Sequence, residues 1–535
     1  MNTENSAGPA SVEKPARTNW AFDAFQRGQS YRLGDLDKII AEDSPVRLFD
    51  ELLDAIDWKS WEREYAGIHG QPPIHPRILA GIILFGLVRG VRSSRRLEEA
   101  CEQRFDFRWL ALGHRPDHST ICQFRTRFEA PLKDLFRRIN ELAMSIGLIR
   151  LGEVAYDGTR VKSYNSRYRT LTAEHIEKKL KELDGIFDEA MRQFKEHDQN
   201  AEGGSSSRLP KELGTLQQRH AKLKALLERA RAEDEERHRE GLKTPVQIPM
   251  SDTDSRVMPN KEGGYAPNYT PTAVTDGERG FIVDVDVLNS VNEGSELVPA
   301  IDRVEATYGK VEVVMTDGGN CSGPNLQALD ERDITVLAPV KSSQPEEGNP
   351  ALRDDPCAPV PESEWPKLPR NSQGQLDKSC FVFVPEKDCF YCPLGQPLLY
   401  EQTKKKETGG QERVIRQLYR CQECDDCPLK AACLLSQCKH GRTVSRDQYE
   451  QVRQETAKRM ATPEAKERYN QRPRIAETTF GILKGVFGIR QFLLRGLKKV
   501  RIEWLWAATA FNLIKLVREL GTARAEFARM ATTTA

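Results

Sequence analysis

No hydrophobic run in this chain is long enough to cross a bilayer; the longest, Ile78 to Val88, reads as a buried helix instead. The N-terminal stretch MNTENSAGPASVEKPARTNW has no apolar core and no cleavage pattern, so a secretory signal is not expected there. Nor is there an excess of charge of one sign: Lys+Arg total 80 and Asp+Glu 79, a net of +1. That balance averages acidic and basic segments and excludes no partner. The expectation is a cytoplasmic protein with no membrane partner. In that reducing setting the 12 cysteines point to metal rather than disulfides, the more so because most of them crowd between Cys389 and Cys438. With 535 residues, 30% charged and 38% hydrophobic, several domains are expected rather than one core.

Residues 1–30 read as a disordered tail and 31–150 as a helical DNA-binding domain, because apolar residues recur there at three- and four-residue spacing. Within it, RPDHSTICQFRTRFE allows Asp117 or Ser119 to cap a helix whose exposed face would carry Gln123, Arg125 and Arg127. A short helix after a tight turn is compatible with helix-turn-helix DNA binding, and equally with an ordinary bundle helix. The next stretch, LGEVAYDGTRV, alternates as a strand and ends at the turn pair Asp157-Gly158. Two heptad-like helices joined by a Gly/Ser loop then read as a coiled-coil hairpin inserted over 171–240, suited to dimer contact. After it NYTPTAVT and GFIVDVDVL form a hairpin. VEVVMTDGG is a strand covered on both faces that ends at Asp317, and ITVLAP is a further strand.

Far downstream, RYNQRPRIAETTFGILKGVFGIRQFLLRGLKKVR holds many Lys and Arg but a single carboxylate, Glu477. A solvated helix usually interleaves both signs. One acid alone among Arg472, Arg474, Lys484 and Arg490 suits a polyanion that meets a divalent cation at one point. Lys484 lies two turns beyond Glu477 on the same helix face. Trp504, Trp506 and Phe511 beyond it read as core packing, and 521–535 as a tail.

Strand with Asp157, hairpin, helix, strand with Asp317, helix, strand, and a late helix with Glu477: this is the element order of the ribonuclease H-like fold. Motif by motif the chain resembles the DDE transposases of bacterial insertion sequences. YDGTRV is similar to that family's first aspartate block and MTDGGNCSG to its second, although Gly319 stands where the family more often has an aromatic residue. Tyr469, Arg472, Glu477 and Lys484 match its Tyr-Arg-Glu-Lys signature, with one residue more than usual between Arg472 and Glu477, so Arg474 is an alternative equivalent. The resemblance implies an α/β ribonuclease H-like catalytic domain over 151–345 with 460–520. It also implies two Mg2+ ions (Mn2+ able to substitute) held by Asp157, Asp317 and Glu477. Double-stranded DNA would be the partner, contacted by Tyr469, Arg472, Arg474 and Lys484, and the chain would act as a homodimer associated with the nucleoid. The alternatives are a nuclease without strand transfer and a non-catalytic DNA-binding protein.

Residues 346–450 are too long for a plain loop and fall into a Pro-rich linker and a cysteine-rich insert. Two Cys-x2-Cys groups flanking a hairpin form a tetrahedral zinc pattern. The resemblance points to Cys392, Cys424, Cys427 and Cys433 as the ligands, with Cys389, Cys421 and His440 as competitors.

Overall fold

The computed structural model describes residues 36–65, 72–166, 168–199, 211–239, 241–261, 263–341, 343–408, 411–435, 438 and 440–533. The expected N-terminal tail, 1–30, lies outside them.

A mixed α/β architecture is built around one central strand. β1 (Glu153–Gly158) runs antiparallel to β2 (Tyr265–Asp276), with Val154 opposite Asp276 and Gly158 opposite Thr272. β3 (Ile282–Leu288) pairs antiparallel with β2, making the expected hairpin. On its other edge β1 is parallel to β4 (Val313–Met315), which is parallel to β5 (Thr335–Leu337). The order is β3–β2–β1–β4–β5. Side chains alternate between faces along a strand, so β1 and β4 each feed two cores. Val154, Tyr156 and Val314 enter the main core, whereas Ala155, Val313 and Met315 enter a smaller one closed by Ala465, Ile475 and Ala476.

The main core is shared with the N-terminal helices. α1 (Pro76–Val88) is buried from Pro76 through Leu87, as a helix hydrophobic all round must be. α2 (His118–Arg127) is capped by Asp117, whose side chain accepts from the backbone N–H of Ser119 and Thr120. α3 (Glu129–Ser145) and α4 (Leu297–Tyr308) flank β3. After α5 (Thr478–Gly485) comes α6 (Leu497–Thr533), which runs on through residues read from sequence as a tail. Its Trp504 and Trp506 are each 1% exposed, as the core reading expected. Trp504 Nε1 donates to Thr272 O in the sheet and Trp506 Nε1 to Arg125 O in α2, so one helix ties both regions together.

Helices Ala173–Gln199 and Lys211–Arg239 pack against each other through Ile176, Leu183, Leu223, Leu227 and Ala230. The loop between them lies outside the described residues. The cysteine-rich stretch forms a separate five-stranded antiparallel sheet with its own core of Leu376, Phe381, Phe390 and Tyr419. Among the described residues no helix is long and apolar enough to cross a membrane.

Candidate functional site

Ala155 on β1 and Met315 on β4 are register partners, and both face the smaller core. Two residues further on stand Asp157, still in β1, and Asp317, just past the end of β4. Adjacent parallel strands run ~4.8 Å apart, so the register alone brings the two carboxylates together. The third acid arrives on the element covering that face. Ile475 and Ala476 anchor it in the smaller core, and Glu477 follows directly at the start of α5. Asp157, Asp317 and Glu477 line one open cavity of about 370 Å3 together with Thr159, Lys261, Arg472 and Phe480.

The glycine after each aspartate permits the close packing. A Cβ on Gly158 would lie 2.3 Å from Glu293 Oε2, and one on Gly318 would lie 2.6 Å from Pro339 O. Gly481 faces open space.

Residues Pro473–Glu477 form a π-turn, in which the Thr478 N–H donates back to Pro473 O. A π-turn holds one residue more than an α-turn. The extra residue between Arg472 and Glu477 is therefore absorbed, and both stay on the face turned to the aspartates. Arg472 is buried, with Nη1 2.9 Å from Asp317 Oδ1 and Nη2 3.3 Å from Asp157 Oδ1. Arg474 is exposed, so Arg472 is the arginine of the site. Burial pushes the Asp157 carboxyl up to about 6, against the opposing pull of Arg472 and Lys261. Tyr469 is half-buried against the smaller core. Lys484 Nζ donates to Thr159 Oγ1, two residues past Asp157. Among the described residues no group of three or more His, Cys, Asp or Glu side chains is arranged to hold a metal ion as it stands.

Two lining residues escaped the sequence reading. Thr159 follows the aspartate turn. Lys261 sits in the Gly-Gly turn Asn260–Gly264, where nothing in the local pattern distinguishes it from a solvated surface lysine.

Residues 391–517 match the family model described as Transposase DDE domain, and residues 34–127 the one described as Transposase domain (DUF772). Over these two segments the chain is similar to transposases. The matched segments take in α1, α2, the cysteine-rich sheet and Glu477, but not β1 or β4. One solved structure of a similar protein, the Mos1 Strand Transfer Complex, is 10% identical over 56% of this chain and 77% of that one, at a TM-score of 0.14. A score that low carries no argument. Curated proteins give no match.

α2 departs from the expected recognition face. Gln123 and Arg127 are exposed, but Arg125 is 7% exposed and donates to Arg92 O. Arg125 is thus a core contact and not a surface cation, because α6 covers the side of α2 that a single-helix pattern leaves open. Arg127 donates to Glu64 O and lies over the rings of Tyr65 and Phe128.

In the cysteine-rich sheet, Cys392, Cys421, Cys424, Cys427 and Cys433 surround a cavity of about 20 Å3. Backbone N–H groups donate to two of the sulfurs, Gln396 to Cys392 Sγ at 3.3 Å and Arg442 to Cys424 Sγ at 3.5 Å. The neighbouring Cys421 thiol, helped by the Gln396 and Leu394 amides, holds Cys392 down at about 6, whereas burial pushes Cys433 up to about 12. Cys389 faces Tyr391 and Cys357 instead.

Proposed function

We propose that this protein is a DDE transposase that cuts double-stranded DNA at insertion-sequence ends and joins the freed 3′-hydroxyl to target DNA, in a ribonuclease H-like catalytic domain. The observation that carries the reading is Asp157 at the end of β1 and Asp317 just past the end of the neighbouring parallel β4, with Glu477 on the same cavity. Three carboxylates are the hard oxygen donors that Mg2+ prefers, with Mn2+ able to substitute. A guanidinium already spans two of them, which supports a site built for positive charge. When bound, a pair of divalent ions supplies Lewis acidity for an in-line displacement at phosphorus. Asp157, Asp317 and Glu477 would hold that pair.

The remaining residues bind and orient. Lys484, seated on Thr159, offers its amine to a phosphate beside the acids. Arg472 has a second partner in the same phosphate, Tyr469 supports the DNA backbone, and Arg474 remains open to the strand outside. Gln123 and Arg127 are the DNA contacts of α2. The cysteine sheet supports a structural zinc: Cys392, Cys424, Cys427 and Cys433 line one small cavity, and two sulfurs of the group already accept backbone N–H bonds. We assign Cys392, Cys424, Cys427 and Cys433 as its ligands, with Cys421 as the spare thiol. The paired helices at 171–240 form a coiled-coil hairpin that suits homodimer contact, and the protein acts in the cytoplasm on the nucleoid.

Labelled element ends incubated with Mg2+ test the reading. Wild type should cleave and join them, and Glu477→Gln should do neither while still binding DNA. Cleavage without joining of pre-cut ends would instead identify a nuclease. Activity untouched by Asp157→Asn would identify a DNA-binding protein with an idle site.

A further inference from the structure

We propose that Lys261 is a further phosphate-contacting residue of the reaction, holding the DNA strand from its place beside Asp157, on a different element from the helix that carries Glu477. The proposal rests on the strand-cleavage reading above.

Backbone hydrogen bonds between Asn260 and the two glycines hold the ends of the turn that carries Lys261. Gly263 and Gly264 take φ of +94° and +70°, which L side chains rarely adopt. Asn260 N donates to Gly264 O, and the Asn260 side chain is clamped by Asn268, itself 1% exposed, whose Nδ2 donates to Asn260 Oδ1 at 2.8 Å. A buried amide spent on shaping a surface turn gives the next residue a set direction. From there Lys261 Nζ reaches Gly158 O at 3.2 Å, directly beside Asp157.

An ammonium group has three donors, and that carbonyl takes one. Although three carboxylates line the same cavity, Lys261 makes no ion pair among the described residues, unlike Arg472. Its charge is therefore turned toward the cavity without being neutralised by a carboxylate in contact. Lys484 and Lys261 grip consecutive residues of the turn after Asp157, one through Thr159 Oγ1 and the other through Gly158 O. Two amines flanking a run of acids suit a backbone with one phosphate at the acids and further phosphates alongside. A lysine acts here as a mobile point charge, which tolerates the movement of a phosphate during displacement.

The test compares full-length wild type, Lys261→Gln and Lys261→Arg on a labelled duplex carrying one element end, with Asp157→Asn as control. Binding is measured across a salt series and cleavage at saturating DNA. Expected is a decrease of about one in the slope of log K against log salt for Lys261→Gln, the signature of one lost phosphate contact. Cleavage at saturation should fall on the order of tenfold or more, and Lys261→Arg should restore the slope. If Lys261 only props the Gly158 carbonyl, cleavage falls but the slope stays at the wild-type value, and the proposal is overturned. An unchanged slope together with unchanged cleavage overturns it too. Failure of wild type to cleave at all, with Asp157→Asn indistinguishable from it, would sink the broader reading instead; the salt slope would still report on Lys261 alone.

Discussion

Arg472 gives one nitrogen to each of two aspartates, so any cation entering between Asp157 and Asp317 competes with a guanidinium held on the same polypeptide. At an effective dielectric near 20, close unit charges interact by a few kcal/mol, enough to matter for a weakly held divalent ion. Replacing Arg472 by Gln should therefore tighten Mn2+ binding to the DNA-free protein, on the order of tenfold, in a calorimetric or spin-resonance titration. Duplex DNA should tighten Mn2+ binding to the wild type and have less effect on the variant, because a phosphate draws the guanidinium away. Equal affinities for the two proteins without DNA would remove the competition from the account. At this scale the sequence was legible where a rule reached beyond one residue. One alternating strand and one continuous apolar run, each leading to an aspartate before a glycine, made Asp157 and Asp317 readable. The direction of Arg472, the burial of Arg125 and the presence of Lys261 were not, since each depends on a segment far away in the chain that no local window contains.

Between Arg472 and Glu477 the extra residue appeared in the sequence as a mismatch of spacing, with Arg474 as a rival. Its resolution is an element, the π-turn Pro473–Glu477, which no propensity scale would have supplied. Buried Ile475 and Ala476 fix the phase of that turn, and the acid follows from it. The cysteine sheet is the opposite case: its Cys-x2-Cys spacing was plain, while the choice among six thiols was not. Folding separates them by packing, sending Cys389 toward Tyr391 and leaving five around one small space. Beside its apolar core the thiols are gathered on one side of that sheet, so metal binding should add to the stability there. The purified protein should contain about one zinc per chain by elemental analysis, the stoichiometry of a closed four-thiolate site. Stripping it with a chelator, or replacing Cys433 by Ser, should raise the protease sensitivity of residues 376–447 while the main core stays resistant. A fully loaded Cys433→Ser protein would mean that another thiol holds that position.

At the scale of the whole molecule, the helices read as a free-standing DNA-binding unit share their interior with the sheet. Asn140 of α3 and Asn512 of α6, both fully buried, meet on β3. Asn512 accepts from Ile282 N at 2.9 Å and donates to Ile282 O and Asn140 Oδ1, while Asn140 donates to Ile282 O and to Tyr308 Oη on α4. A second tie joins Arg92 to Glu503 at 2.8 Å, and Glu503 also accepts from the backbone N–H groups of Leu493 and Leu494. Buried polar networks of this kind are costly when broken in part, because the partners left behind cannot reach water. Asn512→Ala strands Ile282 N and Asn140 Oδ1 at once. Its expected cost is about 3 kcal/mol, summing two unsatisfied buried groups. In denaturant unfolding, fluorescence of the buried tryptophans and far-ultraviolet ellipticity should shift together, because α6 belongs to both regions. If the helices instead melted apart from the sheet, with only one signal moved by the substitution, the catalytic face would owe nothing to the N-terminal helices, and α6 would be a tether rather than a shared beam.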